Sequence, residues 1–446
     1  MNTDSPVESQ LECELPEPSD GNLFVSAYPP FSSWKSGRLS RLEKVLLTPP
    51  QHGHDVPLGL YVHTPFCLQR CQFCYYRSIA NPTTETLESY VDAVLEEFRL
   101  YGESPALTGR RPSFAYFGGG TPALLSPHQM KRLFGGIQSV FPWTDIQEVT
   151  FECSPKTATR DRLEVLREAG VTRISMGVQQ MNDSVLQQSG RVHLVDDVAR
   201  AYDEIRRNDF DVLNLDLIAG LVGETEQSFF DSLRDVVLMA PDSITFYQLE
   251  IPANTPLFRA VHDGQIESLA NWDEKRSRLS RAYDLLEGDG YSLRSAYAVV
   301  KDSSRHRFLY QDMQYHGCDL LGTGLASFSY LAGVHYQNVA VLRTYQEMVT
   351  AGRLPYHRGY VLSDEERMVR EFILQMKLGT VKTAYFQTKF GVNVAERFAQ
   401  PLQRFSDAEW LSVSDDAITL TRQGLLRVDR LLSAFYLPEH RELTYW

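Results

Sequence analysis

Residues 58–74 read LGLYVHTPFCLQRCQFC, an apolar, β-branched stretch followed at once by three cysteines. The first part predicts a buried β-strand over 58–63. Cys67, Cys71 and Cys74 then fall on the loop directly after that strand. Because thiols so close in sequence can converge on one metal centre, the stretch predicts a strand that carries a metal-binding loop.

From this strand onward, strand and helix patterns alternate toward the C-terminus. The pattern predicts strand 58–63, helix 84–101, strand 113–117, helix 126–140, strand 147–152, helix 158–169, strand 172–178, helix 193–207, strand 211–218, helix 225–239, strand 243–250 and helix 271–289. Six strand–helix units in a row predict an α/β fold with a parallel sheet and right-handed crossovers. Such a sheet is either doubly wound or most of a barrel.

Polar residues at the strand ends favour the barrel. The second strand runs into Gly118-Gly119-Gly120-Thr121, and the next three strands carry Glu152, Gln179 and Asp216. A carboxylate inside an apolar strand is costly without a partner. Since the carboxyl ends of parallel strands share one rim, where barrel enzymes hold their sites, we expect a partial (β/α)6 barrel of the TIM type with a ligand on that rim.

The flanking segments differ from the barrel in pattern. Residues 1–56 form an N-terminal extension, whose aromatic patch at 24–31 with Trp34 suggests a lid or strap. We assign 57–290 to the barrel and 291–446 to a mainly helical, winged-helix-like C-terminal domain. Within that domain the pattern suggests strand 291–300, a glycine-rich turn region at 320–333, helices over 363–400, and a final hairpin followed by an amphipathic helix at 411–436.

Composition excludes several classes of protein. The 446 residues carry a formal charge of −13, which opposes binding to nucleic acid. No run of eighteen apolar residues suggests a membrane span, and the acidic first twenty residues do not resemble a secretory signal. We therefore expect a cytoplasmic protein, in which cysteines act as metal ligands, nucleophiles or buried thiols rather than disulfides.

The residues alone leave the identity of the metal open. Zinc would need a fourth ligand, such as His63. An iron–sulfur cluster held by three thiolates would keep one iron free to bind a substrate or cofactor. The third reading is that the thiols are unrelated and simply buried.

The spacing Cys-x-x-x-Cys-x-Phe-Cys, followed by Gly-Gly-Gly-Thr-Pro at 118–122, resembles the signature of the radical S-adenosylmethionine superfamily. The resemblance implies a [4Fe-4S] cluster whose open iron binds S-adenosylmethionine. It also implies reductive cleavage to a 5′-deoxyadenosyl radical and an electron donor such as flavodoxin or ferredoxin.

More narrowly, the chain is similar to the HemN-like branch from Leu58 to the C-terminus. This branch contains oxygen-independent coproporphyrinogen oxidases, the heme chaperone HemW, and HemN-like methyltransferases and cyclopropanases. The similarity is carried by YVHTPFC at 61–67, FECSP at 151–155, NLDLIAGL at 214–221 and HRGYVLSDEERMVREFIL at 357–374.

The resemblance also implies roles for individual residues. Gly118, Gly119, Gly120 and Thr121 would meet the methionine amino group, Glu152 would be a site glutamate, Gln179 and Asp216 would bind the ribose, and Arg191 would pair with the methionine carboxylate. Tyr61 and Glu152 are the candidate catalytic residues. A plainer interpretation exists for each of these residues. The glycines could form an ordinary turn, Arg191 could form a surface salt bridge, and Tyr61 and His63 could be ordinary inward-facing strand residues. His306 and His316 lie in a segment that suggests contact with substrate.

Two departures from the branch shape the functional hypothesis. Tyr75 and Tyr76 follow Cys74 where coproporphyrinogen oxidases have Gly-Cys, and no His-Asn pair matches the heme signature of the chaperone. Our first hypothesis is therefore methyl or methylene transfer from a second S-adenosylmethionine to an unsaturated small molecule, such as a natural-product intermediate. The residues that could surround the second sulfonium are Glu152, Glu250, Tyr247, Tyr75 and Phe328. The alternatives are oxidative decarboxylation of tetrapyrrole propionates and heme delivery.

Overall fold

The computed structural model describes residues 24–36, 39–49, 56–266 and 269–445. The acidic start of the extension and Cys13 lie outside these residues. No helix in the described ranges is both long and apolar enough to cross a membrane.

The six expected strand–helix units are present, and they confirm the α/β barrel. The strands are β1 (Leu58–Thr64), β2 (Pro112–Gly119), β3 (Glu148–Cys153), β4 (Arg173–Gln179), β5 (Val212–Ala219) and β6 (Ser243–Gln248). The helices that follow them are α1 (Thr84–Gly102), α2 (Pro127–Val140), α3 (Arg160–Glu168), α4 (Val195–Arg207), α5 (Glu226–Met239) and α6 (Trp272–Gly288). Shorter helices, Leu39–Leu47, Asp183–Gln188 and Pro256–His262, lie on connecting segments.

Strands β1 to β6 are parallel and adjacent in chain order. Most of their residues are buried, as in a sheet covered on both faces. Apolar side chains of the six strands and of the surrounding helices form one large core. This parallel arrangement brings the polar strand ends to a common rim.

The barrel does not close on itself, because both edges of its sheet are extended by other strands. On β6 lies an antiparallel hairpin, β7 (Ser292–Leu293) and β8 (Ala298–Val300), so the single strand expected over 291–300 is wrong. The polar turn around Ser295 separates the two halves of that hairpin.

The other edge corrects the glycine-rich turn region that was expected at 320–333. This segment forms β9 (Asp319–Thr323), parallel to β1, and β10 (Phe328–Leu331). Gly322 serves close packing within the sheet, since a Cβ there would lie 2.1 Å from the Phe328 carbonyl oxygen, whereas Gly324 (φ +93°) and Gly333 (φ +79°) lie in turns as expected. Strands β11 (Val334–Asn338) and β12 (Tyr356–Val361) complete the twelve-stranded sheet, and helix Leu342–Thr350 connects them.

The last part of the described chain is mainly helical, as expected. Its helices are Leu309–Tyr315, Asp364–Met376, Thr383–Phe390, Val394–Arg397, Ala399–Asp407, Arg422–Leu425 and Val428–Leu432. A small antiparallel sheet orders β13 (Thr380–Lys382), β15 (Ala417–Leu420) and β14 (Leu411–Val413). The single amphipathic helix expected after the final hairpin is wrong, because Arg427 (φ −113°, ψ 6°) leaves helical geometry and divides it.

Residues 24–36 pack against this C-terminal part, and we call them the strap. Tyr28 is fully buried, and its hydroxyl oxygen accepts from Leu437 N at 3.1 Å. The buried Lys377 ammonium pairs with Asp429 at 2.7 Å and donates to the Val25 carbonyl at 2.6 Å. The strap is therefore held by packing and by hydrogen bonds between the Val25 backbone and this ion pair.

A buried carboxylate, Glu97 on α1, ties the β9–β10 turn to the barrel. It accepts from Gly324 N at 2.8 Å, Asn338 Nδ2 at 2.7 Å and Tyr345 Oη at 2.6 Å. Burial nevertheless outweighs these donors and raises the pKa of Glu97 to about 7.

We expect Glu97 to make the fold less stable as pH rises. Its pKa is raised in the folded state, so between the ordinary carboxyl range and pH 7 the folded protein holds a proton that the unfolded chain releases. The free energy of unfolding should fall by up to about 1.4 kcal/mol per pH unit from this group. Denaturation of the wild type and of Glu97→Gln at pH 5.5 and pH 8 measures the effect. The prediction would be contradicted if the difference in the free energy of unfolding between the wild type and the variant were the same at both pH values.

Candidate functional site

A cavity of about 890 Å³ opens at the carboxyl ends of the barrel strands. The barrel rim, the strap and the C-terminal part all contribute to its lining. This volume is near the upper end of the usual range for ligand pockets, which is about 300–1,000 Å³. It is large enough to hold a cofactor together with a second molecule.

The three cysteines of the loop after β1 all line this cavity and are only partly exposed. Backbone hydrogen bonds fix the loop: Asn81 N donates to the Cys67 carbonyl at 2.9 Å, and Gln72 N donates to the Ser189 carbonyl at 3.1 Å. Arg70 Nη2 donates to the Cys74 carbonyl at 2.9 Å. Contacts within the protein therefore define the conformation of the loop.

The glycine turn after β2 lies directly against the cysteine loop. Gly120 N and Thr121 N donate to the carbonyls of Thr64 and Phe66, both at 2.7 Å. A Cβ at position 120 would lie 2.6 Å from the Phe66 carbonyl oxygen and 3.0 Å from Cys67 Sγ. Gly119 has φ +109°, a conformation that favours glycine. The turn needs glycine for close approach and for backbone geometry.

Two donors point at the cysteine sulfurs. Thr121 Oγ1 lies 3.8 Å from Cys67 Sγ, and Arg191 Nη1 lies 3.3 Å from Cys71 Sγ. Hydrogen bonds to sulfur are among the factors that set the potential of iron–sulfur clusters. Burial raises the pKa of the Cys74 thiol to about 11, so its thiolate needs a positively charged metal group to compensate it.

The donor set fits a cluster better than a zinc ion. Within the described residues, no three His, Cys, Asp or Glu side chains come close enough together to hold one metal ion. Zinc requires four ligand atoms at about 2.0–2.3 Å from a single point. A cubane cluster is larger and is held by thiolates around it, which suits three cysteines spread along one loop.

Glu152 lies at the end of β3 and beside the glycine turn. Its carboxylate accepts from Tyr116 Oη at 2.5 Å and from Gly119 N at 3.1 Å. Burial, and to a smaller extent the nearby Asp216, raise the pKa of Glu152 to about 7. A carboxylate this close to neutral pH can accept from, or exchange a proton with, an amino group placed at the turn.

Asp216 lies on β5 with its carboxylate facing the cavity. It accepts from Asn214 Nδ2 at 2.8 Å and from Ser175 Oγ at 3.3 Å. Burial raises its pKa to about 6. Gln179, at the end of β4, has φ +68° and a buried Oε1 with no hydrogen-bond partner in the described chain. Both side chains thus offer acceptors to a ligand with hydroxyl groups.

Arg191 follows the short helix after β4 and lines the same cavity. Besides the Cys71 sulfur it contacts the Gly177 carbonyl, to which Nη2 donates at 2.6 Å. Its buried Nε has no partner within the described ranges. The surface salt bridge considered for this residue is wrong, because no described carboxylate forms an ion pair with it.

Tyr61 and His63 point into the cavity from β1. Tyr61 Oη lies 3.0 Å from His63 Nδ1. Burial lowers the pKa of His63 to about 4, so the ring is neutral, and its Nε2 has no partner among the described side chains and backbone. The pair is positioned to contact a ligand.

Several cavity residues were missed by the sequence analysis. Tyr116 holds Glu152 and packs against Tyr310 with ring centroids 4.3 Å apart, and Phe308 adjoins both. Alternation along β2 could have indicated Tyr116, which lies two residues before Gly118. His306 and His316 do not line the cavity; His306 lies 3.8 Å from Asp242, which precedes β6 at the opposite end of the barrel.

Comparison with known proteins agrees with these observations. Residues 61–236 match the model of the radical SAM superfamily, and residues 362–427 match the HemN C-terminal domain. The family implies a [4Fe-4S] cluster and S-adenosylmethionine as cofactors. These matches cover the cysteine loop, the glycine turn, the acidic strand ends and the last helices.

Relatives of similar length define the branch. The chain is 26% identical to the heme chaperone HemW of Bacillus subtilis, over 84% of this chain and 98% of that one. It is 28% identical to the oxygen-independent coproporphyrinogen III oxidase of Synechocystis sp., over 85% and 84%. The solved structure of coproporphyrinogen III oxidase (HemN) from Escherichia coli, described as a radical SAM enzyme, matches with a TM-score of 0.79 and 25% identity, over 93% and 98%. Over most of its length the chain is therefore similar to the HemN-like branch of the radical SAM superfamily.

We expect Cys71→Ala to abolish cluster assembly, because a cubane held by three thiolates loses one of its protein ligands. Iron and sulfide content after anaerobic reconstitution, together with the visible absorbance, measure this. Cys318→Ala is the matched control, since Cys318 is buried outside the loop. Equal iron loading of the two variants would contradict the assignment of the ligands.

We also expect Glu152 to make S-adenosylmethionine binding dependent on pH. Below pH 7 the carboxyl is protonated and loses acceptor strength, so affinity should fall between pH 8 and pH 6. The cluster-loaded wild type and Glu152→Gln are titrated anaerobically with S-adenosylmethionine at pH 6 and pH 8. The difference between their affinities gives the contribution of the Glu152 carboxylate. Parallel pH profiles for the two proteins would show that Glu152 does not contact the ligand.

Proposed function

We propose that this chain reductively cleaves S-adenosylmethionine and directs the resulting radical at a second molecule bound in the same cavity. The observation that carries the proposal is the convergence of the cysteine loop, the glycine turn, Glu152 and Asp216 on one cavity. The bound cofactors would supply one electron and a carbon radical; the protein would bind, orient and shield the reactants.

The polar groups would hold the cofactor at both ends. The backbone at Gly118–Gly120 and the Glu152 carboxylate would take the methionine amino group, and the Arg191 guanidinium would take the carboxylate, for which its planar fork is suited. Asp216 and Gln179 would accept from the ribose hydroxyls. Tyr61 would lie beside the reacting centre.

Aromatic side chains would exclude water from the reacting carbon. Tyr61, Tyr116, Tyr310 and Phe308 form a contiguous group of rings, with neighbouring centroids between 4.3 and 6.2 Å apart. The strap contributes further rings to the cavity wall. Exclusion of water protects a reactive intermediate from side reactions.

For the second half of the reaction we propose transfer of a methyl or methylene group from a second S-adenosylmethionine to an unsaturated small molecule. Tyr75 and Tyr76 stack with centroids 4.6 Å apart beside the cysteine loop, and Tyr247 and Glu250 line the same part of the cavity. Aromatic faces and a carboxylate are the groups that would attract a sulfonium.

The second candidate is decarboxylation of a tetrapyrrole of the coproporphyrinogen type, which is favoured by the names of the relatives. Heme delivery is the third reading, favoured by the chaperone from Bacillus subtilis. On the cavity side of β11, Gln337 carries an amide, which is a poor axial ligand, whereas His335 carries an imidazole, which is a usual one.

An isotope experiment tests these proposals together. The reconstituted protein is reduced with dithionite and given S-adenosylmethionine with a deuterated methyl group. We expect 5′-deoxyadenosine that contains one deuterium, because the radical would abstract it from the methyl group of the second molecule. Cys71→Ala should give no 5′-deoxyadenosine.

In a second experiment coproporphyrinogen III is added. If 5′-deoxyadenosine is then unlabelled and a decarboxylated product forms with it, the transfer proposal is wrong and the second candidate is supported. If reduced, cluster-loaded protein left S-adenosylmethionine intact, the radical proposal itself would fail. Tight axial ligation in a heme titration would then support the chaperone reading. A cytoplasmic location and a flavodoxin or ferredoxin as electron donor remain part of the proposal.

A further inference from the structure

One wall of the cavity is formed by the side of β10, β11 and β12 that faces the cavity, next to the strap. The register places Phe328 opposite Gln337 and Gln337 opposite Arg358. Phe31 of the strap stacks on Phe328 with ring centroids 4.6 Å apart. All four side chains line the cavity, as do Tyr330 and His335 of the same strands, so this wall combines aromatic rings with an imidazole, an amide and a guanidinium.

Arg358 on β12 is oriented by its neighbour. Its Nε donates to Gln337 Oε1 at 2.7 Å, and Gln337 Nε2 in turn donates to the Ala326 carbonyl at 3.0 Å. Neither Nη of Arg358 has a hydrogen-bond partner in the described chain. Burial, with no acidic group to oppose it, lowers the pKa of Arg358.

Arg370 reaches the same wall from helix Asp364–Met376. It is 3% exposed, and its guanidinium carbon lies 4.1 Å from the centre of the Tyr330 ring. Nη1 donates weakly to the Gln314 carbonyl at 3.3 Å, whereas the buried Nε has no partner within the described ranges. The neighbouring Glu371 is turned away, toward Lys389 Nζ at 2.8 Å.

Neither arginine forms an ion pair with a carboxylate of the described chain. A guanidinium removed from water without a counter-ion is costly. An anionic ligand would remove this cost for both arginines. The acidic groups that line the cavity are Glu152 and Asp216 on the barrel strands and Glu250 and Asp429 outside them, and none of the four forms an ion pair with Arg358 or Arg370.

We propose that Arg358 and Arg370 bind a carboxylate of a ligand whose apolar, flat part lies against Phe31, Phe328 and Tyr330. A planar carboxylate suits two guanidinium groups, and rings favour a flat partner. This inference rests on the proposed function, which supplies two possible sources of the carboxylate. One is the substrate of the radical, and the other is the second S-adenosylmethionine.

The test uses two fluorescent probes with the same flat body, pyrenebutyrate and the uncharged pyrenebutanol. They are titrated into oxidised, cluster-loaded protein, so the result does not depend on radical chemistry. We expect the wild type to bind the acid about tenfold or more tightly than the alcohol. Arg358→Gln and Arg370→Gln should each remove most of this preference and leave alcohol binding unchanged. Arg358→Lys should restore part of the preference.

Arg343→Gln is the matched control, because Arg343 lies on an exposed helix and pairs with Glu347. It should behave as the wild type. Circular dichroism of all variants checks that the fold is intact. A wild type that binds the alcohol as tightly as the acid, or binds neither, would overturn the proposal, as would variants that weaken both probes equally.

The source of the carboxylate is distinguished by dialysis with labelled S-adenosylmethionine. If the arginines hold a second S-adenosylmethionine, the two Gln variants should bind one equivalent fewer than the wild type, and S-adenosylmethionine should displace pyrenebutyrate. If they hold the substrate, the stoichiometry should be the same in all proteins. Either result supports the carboxylate site, and both are independent of whether S-adenosylmethionine is cleaved.

Discussion

Two backbone hydrogen bonds, from Gly120 and Thr121 to the carbonyls of Thr64 and Phe66, join the glycine turn to the cysteine loop. These hydrogen bonds require the parallel pairing of β1 with β2, because that pairing places the carboxyl ends of the two strands next to each other on the barrel rim. They also require glycine at position 120, where any side chain would collide with the Phe66 carbonyl and with a cysteine sulfur. The barrel thereby places thiols, backbone donors and the Glu152 carboxylate side by side.

Much of this arrangement could be predicted from the sequence, because strand–helix alternation reports burial and the cysteine spacing is specific. The prediction was wrong where Gly322 was taken as a turn residue: it lies inside β9, and only the position of the β10 backbone explains it. It also missed Tyr116, Arg358 and Arg370, whose roles depend on strand register and on contacts between distant segments. Sequence patterns report which face of an element is buried, but they do not report which distant side chains share a cavity.

The cavity combines two environments. On the barrel side, Glu152 and Asp216 are carboxylates whose pKa values are raised by burial, so they are poised to accept hydrogen bonds from a positively charged or hydroxyl-bearing cofactor. On the opposite wall, aromatic rings and two arginines favour a flat, acidic molecule. The strap links these walls to the C-terminal part through Tyr28 and the Lys377–Asp429 pair. The N-terminal segment is thus part of the site's enclosure.

The most direct test of the account is electron paramagnetic resonance of the reconstituted, dithionite-reduced protein, recorded with and without S-adenosylmethionine. The account predicts the signal of a reduced [4Fe-4S] cluster whose g values shift when S-adenosylmethionine is added, because the cofactor binds the iron that no cysteine holds. A spectrum that is unchanged by saturating S-adenosylmethionine, or a protein that assembles no paramagnetic cluster, would contradict it.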